Sequence, residues 1–149
     1  MQVLTGLLYI NEVDVYATYG AFLTETSAGE FSNYSALLKP PRMKPYVAVD
    51  FREDNGEKLP EALPDPAYEA RDVTLYFAIM ADTSAQFMAN YTAFLRFLMS
   101  GWLEIRLPEL GKTYKMYYKT SDNYEQLTPI DGKVVSRFKV TFREPEPTY

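Results

Sequence analysis

Apolar and polar positions alternate along most of the chain, and the alternation divides it into short strands with one helical interruption. Residues 7–15 read as two short strands around a turn. Tyr19-Gly20-Ala21-Phe22-Leu23 reads as a tight corner feeding a further strand. Residues 24–35 are small and polar and are expected to form a loop. Pro40, Pro41 and Pro45 remove three backbone donors, which excludes helix or central strand across 39–45. Over 46–52 the alternation returns, with Val47, Val49 and Phe51 on one face and Ala48, Asp50 and Arg52 on the other. Asp54-Asn55-Gly56 is a turn signal, because Asn-Gly supplies the positive φ of a type I′ turn. Residues 59–70, with Pro60, Pro64 and Pro66, predict a long extended arm, and arms of that length inside a compact chain are usually functional or disordered.

The clearest strand is 71–81. Val73, Leu75, Phe77, Ile79 and Ala81 form one face; Asp72, Thr74, Tyr76, Ala78 and Met80 form a second face only half polar, as expected of a central strand covered on both sides. A helix over about 83–100 follows. Thr83 and Gln86 have capping-box spacing, Phe87, Met88, Tyr91, Phe94, Leu95, Leu98 and Met99 make a stripe at helical period, and Gly101 supplies the stop. Core packing explains that stripe without a cofactor. Leu103, Ile105 and Leu107 then face inward from 102–107, and 108–111 form a turn. In 113–120, Tyr114, Met116 and Tyr118 oppose Lys115, Tyr117 and Lys119. A weaker strand or loop over 124–130 and an Asp131-Gly132 turn lead to a closing strand, 134–143, with Val134, Ser136, Phe138, Val140 and Phe142 inward.

The sum is seven to nine strands and one helix, without βαβ alternation or an internal repeat. That pattern predicts a mainly β protein: an antiparallel β-sandwich or split barrel with a single packed helix. One domain is expected over 1–143, with the extended arm at about 53–70 and a frayed tail at 144–149.

Composition narrows the function. The 149 residues include no Cys and no His, which removes disulfides, thiolate chemistry, the commonest metal ligand and the commonest general base. No GxSxG, GxGxxG or GxxxxGK[ST] pattern occurs. The carboxylate pairs Glu12/Asp14, Glu53/Asp54 and Glu144/Glu146 fall in turns or the tail, where solvated surface explains them. Arg52 stands where a calcium loop around Asp54 needs an oxygen ligand. No catalytic residue, cofactor or metal is therefore expected. The start lacks a basic n-region and a small-residue cleavage site, and the longest apolar run, 75–81, is far below the ~20 residues of a membrane span.

The net charge is −5, which disfavours nucleic acid and anionic membranes as partners. Its distribution is uneven. Residues 53–72 carry seven acids against two bases, and 112–143 carry seven bases against three acids. Two readings stand: independent solvated faces, or complementary halves of a self-association surface. Tyr and Lys interleave over 112–119, as on a stacking platform for single-stranded nucleic acid, but hairpin strands carry that alternation routinely and the net charge opposes it.

The order of elements adds a resemblance. A strand pair with a Tyr-Gly-Ala-Phe corner leads through prolines to an arm, Asp50-Phe-Arg-Glu-Asp-Asn-Gly-Glu-Lys-Leu59. Then come Arg71-Asp-Val-Thr-Leu-Tyr-Phe-Ala-Ile79, a helix ending Leu-Met-Ser-Gly-Trp-Leu, a Leu-Pro-Glu-Leu turn, a Tyr-rich strand, and Arg137-Phe-Lys-Val-Thr-Phe142. Over about 7–142 this resembles the N-terminal domain of the distal tail protein of long-tailed phages, the siphovirus tail-component family. The resemblance implies a tail-tube-like sandwich that assembles as a hexameric ring around the DNA channel. Its partners would be further copies of itself and tube, tip or tape-measure proteins, with DNA only as lumen cargo and the virion tail as its place. A tube or tail-completion subunit shares that fold. Larger family members continue into a carbohydrate-binding-like second domain where this sequence stops, so host recognition is not implied. A different class, a small β-barrel module with a Tyr-lined ligand pocket, also fits the composition.

A ring built from heterologous contacts needs two different complementary patches per subunit. On that reading Glu57, Glu61, Asp65 and Glu69 reach toward Lys115, Lys119, Arg137 and Lys139 of a neighbour, and Tyr76, Trp102 and Tyr117 are apolar anchors.

Overall fold

The computed structural model describes residues 5–24, 32–123, 128–130 and 132–148. Strands β1 (Tyr9–Ile10) and β2 (Val13–Asp14) form a hairpin whose turn residues Asn11 and Glu12 both have positive φ. Asp14 then caps helix α1 (Val15–Tyr19), its carboxylate accepting from the backbone N–H of Tyr16 and Ala17. Gly20 ends α1 at φ +70° and passes so close to the next layer that a Cβ there would lie 2.7 Å from the carbonyl oxygen of Met80. Only glycine fits that corner. It delivers β3 (Ala21–Leu23) to the edge of β4 (Arg71–Ala81), with α2 (Ser32–Leu38) packed beside the pair.

Helix α3 (Ser84–Leu98) connects β4 to β5 (Leu103–Leu107), and β6 (Lys112–Asn123), β7 (Thr128–Ile130) and β8 (Lys133–Glu144) complete the chain. All the described strands share one antiparallel sheet in the order β2-β1-β5-β6-β8-β4-β3, with β7 also on β8. β6 creates the curl. Its first half, Lys112 to Met116, pairs with β5, and its second half, Tyr117 to Asn123, pairs with β8 across a bulge between Tyr118 and Thr120. The result is a β half-barrel with helices packed on it, as expected.

The core follows the period-2 pattern. Val73, Leu75, Phe77, Ile79, Leu103, Ile105, Leu107, Phe138, Val140 and Phe142 are all buried. Phe77 stacks on Phe138 at 5.9 Å and meets Phe94 of α3 edge-on at 5.4 Å. Each such aromatic pair contributes about 0.5–1.5 kcal/mol beyond its area burial. Thr83 caps α3 by accepting from the N–H of Gln86, but the Gln86 amide donates onward to Asn90 instead of closing a capping box.

Three expectations change. The described residues hold three helices: α1 forms over 15–19, ahead of the expected corner, and α2 begins at Ser32, inside the loop expected over 24–35, of which 25–31 lie outside the described residues. The stripe of α3 is narrower than its spelling: Phe87, Phe94 and Leu98 are buried, whereas Met88 and Met99 are exposed. No strand forms over 46–52; a single bridge, Val49 to Lys58, replaces it, because the segment has no sheet edge to join. Past β8, the described part of the tail lies against the body. Glu144 and Pro147 are buried, and Lys112 Nζ donates to the Thr148 carbonyl at 2.8 Å.

Candidate assembly surfaces

Residues 42–69 form one two-limbed arm. Its root is laddered by Glu69 N–H to the Arg42 carbonyl at 2.7 Å and Lys44 N–H to the Ala67 carbonyl at 2.8 Å. Further out, Val49 and Lys58 exchange both backbone bonds, at 2.9 and 2.6 Å. Four residues, 45–48, separate these rungs on the outgoing limb, and eight, 59–66, on the return. Pro45, Pro60, Pro64 and Pro66 withhold donors there, so the ladder cannot close. Gly56, at φ +65°, turns the tip.

Among the described residues, the arm's backbone bonds run from one limb to the other. Residues 50–67 are exposed throughout, and the apolar Val47, Val49, Phe51, Leu59 and Leu63 are exposed with them, Val47 at 87%. Among the described residues, Glu57, Glu61 and Asp65 make no ion pair; Glu69 pairs with Arg42 at 3.7 Å.

The root is clamped by Arg71. Its Nε donates to Glu144 Oε1 at 3.0 Å, Nη1 to the Lys39 carbonyl at 2.6 Å and Nη2 to the Leu37 carbonyl at 3.3 Å. Arg71 and Glu144 are register partners at the ends of β4 and β8. One guanidinium thus ties the end of α2, where the arm departs, to the strand on which the arm returns.

The outer face of the sheet carries the second surface. Trp102 stands beside Tyr117 with ring centroids 5.8 Å apart at 82°, and Lys115 Nζ lies 4.8 Å over the Trp102 ring. Trp102 is 53% exposed and Tyr117 39%. One row further, Asp72 accepts from Lys119 at 2.9 Å and from Arg143 at 3.0 Å. The Lys119 and Arg143 hydrogen bonds hold the Asp72 carboxyl below its usual range. Lys139 lies in register between Tyr76 and Asp122, and Arg137 opposite Ala78. Tyr76 is half-buried; its N–H donates to Asn33 Oδ1 at 2.7 Å, and its carbonyl accepts from Thr24 N–H at 2.9 Å.

The fold therefore brings Trp102, Lys115 and Tyr117 into one cluster and sets Lys119, Arg137 and Lys139 on the same sheet face. It keeps Glu57, Glu61 and Asp65 apart from all of them, on the arm. Lys119 is engaged by Asp72 of its own chain. Three residues outside the expected set matter as much: Arg71, Glu144 and Asn33. Their pairings depend on which strand ends meet, so only the complementary charges of Arg71 and Glu144 were open to reading.

Among the described residues no group of three or more carboxylates, His or Cys is placed to hold a metal ion. No helix among them is long and apolar enough to cross a membrane. No protein-family model matches the chain, and no curated protein matches its sequence. Among solved structures, the fold matches the crystal structure of the phage SPP1 Dit (gp 19.1) protein, with a TM-score of 0.52 over 92% of this chain at 12% identity. The chain shares the fold of SPP1 Dit over that span. Dit is described there as a paradigm of the hub adsorption apparatus in phages that infect Gram-positive bacteria. This chain corresponds to 48% of the length of SPP1 Dit, about half, and at 12% identity the likeness is one of fold.

Proposed function

We propose that this protein is a non-catalytic structural subunit of a phage or prophage tail. Its task is assembly: it forms a ring of identical copies, of hub type, that joins the tail tube to the tip, and tube, tip or tape-measure proteins flank it. The observation that carries this reading is the shared fold together with an arm whose apolar residues are exposed. A tube or tail-completion subunit places the same ring elsewhere along the tail. An isolated ligand-binding module gives no use to an exposed arm of this length. DNA enters only as cargo of the channel, because tight DNA binding needs phosphate neutralisation that a protein of charge −5 supplies poorly.

Sedimentation equilibrium over a rising concentration series tests the proposal. The expected result is a cooperative passage from monomer to one closed species, hexameric on the family resemblance. A strict monomer up to millimolar concentration overturns it.

A further inference from the structure

We propose that Asn55, in the exposed turn at the tip of the arm, is a site of spontaneous deamidation: the Gly56 backbone nitrogen attacks its side-chain amide, and the residue becomes aspartate or isoaspartate. The reaction needs only water and does not depend on the tail-subunit reading.

The attack needs an unhindered nitrogen, free reacting groups and a backbone able to swing the nitrogen behind the side-chain carbon. Gly56 is exposed, and a Cβ built there would meet nothing within 4 Å, so neither its own residue nor a neighbour crowds the approach. Among the described residues, no hydrogen bond engages the Gly56 N–H or the Asn55 side chain. The outermost rung of the arm joins Val49 to Lys58, and residues 50–57 lie beyond it; the bond from Asp54 N–H to the Phe51 carbonyl stops short of both reacting residues. Three other asparagines lack these freedoms. Asn11 donates to the Trp102 carbonyl at 3.2 Å and accepts from Glu104 N–H at 2.8 Å. Asn33 is buried in α2 and donates to the Thr24 carbonyl, and Asn90 sits in α3 and accepts from Gln86. Each is followed by a bulky residue, Glu12, Tyr34 or Tyr91, where Asn55 is followed by glycine.

The step balances without a cofactor. The Gly56 nitrogen loses its proton to hydroxide and bonds to Cγ of Asn55; the Cγ–Nδ2 bond breaks, and the side-chain nitrogen leaves as ammonia. Water then opens the cyclic succinimide that remains. Opening at Cγ gives aspartate; opening at the backbone carbonyl gives isoaspartate, with the chain running through Cβ and Cγ. Water enters, ammonia leaves, and nothing is oxidised or reduced. Either product replaces a neutral amide by one carboxylate, which takes the net charge from −5 to −6. Isoaspartate also lengthens the backbone of the tip by one atom.

Arg52 and Lys58 flank the turn, so trypsin should release Glu53-Asp54-Asn55-Gly56-Glu57-Lys58 as one peptide. After incubation of the wild-type protein in mildly alkaline buffer, that peptide is expected to gain one mass unit and to separate into two products. One of them should accept a methyl group from protein isoaspartate methyltransferase. A synthetic peptide of residues 51–60 sets the unhindered rate. The folded protein should convert within about tenfold of it, a barrier difference below about 1.4 kcal/mol. On isoelectric focusing, a more acidic form should build up in the wild type and not in Asn55→Gln. Conversion slower than the peptide's by more than about tenfold would mean that the folded tip shields the site, and overturns the proposal. An acidic form that accumulates as fast in N55Q as in the wild type comes from another asparagine and overturns it too.

Discussion

Arg71→Met should be the most destabilising change available outside the apolar core. The Arg71 side chain is 14% exposed and its partner Glu144 only 6%. Truncation leaves that carboxylate buried without its cation and frees the carbonyls of Leu37 and Lys39. Breaking one side of a buried pair costs about 3–5 kcal/mol. The lower end applies here, because water can reach the rim of the guanidinium site. About 3 kcal/mol in a chain of this size lowers the melting temperature by about 6–12 °C. Urea unfolding followed by far-ultraviolet circular dichroism, on dilute monomer, measures it. The double replacement R71M/E144L removes both charges and should recover to within about 1.5 kcal/mol of wild type. Recovery separates an unpaired charge from simple loss of packing. If R71M costs under about 0.5 kcal/mol, the pair behaves as an exposed one and the clamp is wrong.

Further predictions follow from other local arrangements. Gly20→Ala combines a left-handed φ with a Cβ driven against the Met80 carbonyl, so a loss of at least about 2 kcal/mol is expected in the same unfolding assay. Asp72 titrates below the usual carboxylate range when folded, so its contribution is present above pH about 4 and lost as the pH falls through the folded pKa. Asp72→Asn should flatten the acid limb of the stability curve by less than about 1 kcal/mol, since the group is largely exposed. Burial, and then the hydrogen bond to Glu109 at 2.8 Å, push the Tyr34 phenol up to about 12. The unfolded phenol ionises near about 10, so Tyr34 contributes stability below that pH and loses it as the pH rises toward 12. Tyr34→Phe should delete a phenolate transition at about pH 12 in an absorbance titration.

How much was legible depended on how local each cause was. Val73 through Ala81 announced a buried strand because every second residue is apolar, and the structure buries all five. Thr83 announced the start of α3, because caps act within one turn; the helix ends at a Met99 cap, two residues before the expected Gly101 stop. The same alternation misled over 46–52: Val47, Val49 and Phe51 have the spelling of a strand, but a strand also needs a partner, and the prolines around them withhold one. α2 stayed hidden for the opposite reason. Its inward positions are Asn33 and Leu37, and Asn33 is buried for its hydrogen bonds to Tyr76 and Thr24, a polar role that breaks the apolar period. Trp102 and Tyr117 read as outward residues, and their meeting followed from the β5–β6 pairing, where Leu103 stands opposite Met116. The Arg71 clamp joins residues on three elements, so topology had to be known before it could be seen.

Cryo-electron microscopy of the wild-type protein, concentrated past its association midpoint, bears most directly on the central claim. The account predicts head-to-tail copies closed around an open channel. Monomers, or two-fold pairs that bury the same surface on both copies, would contradict it.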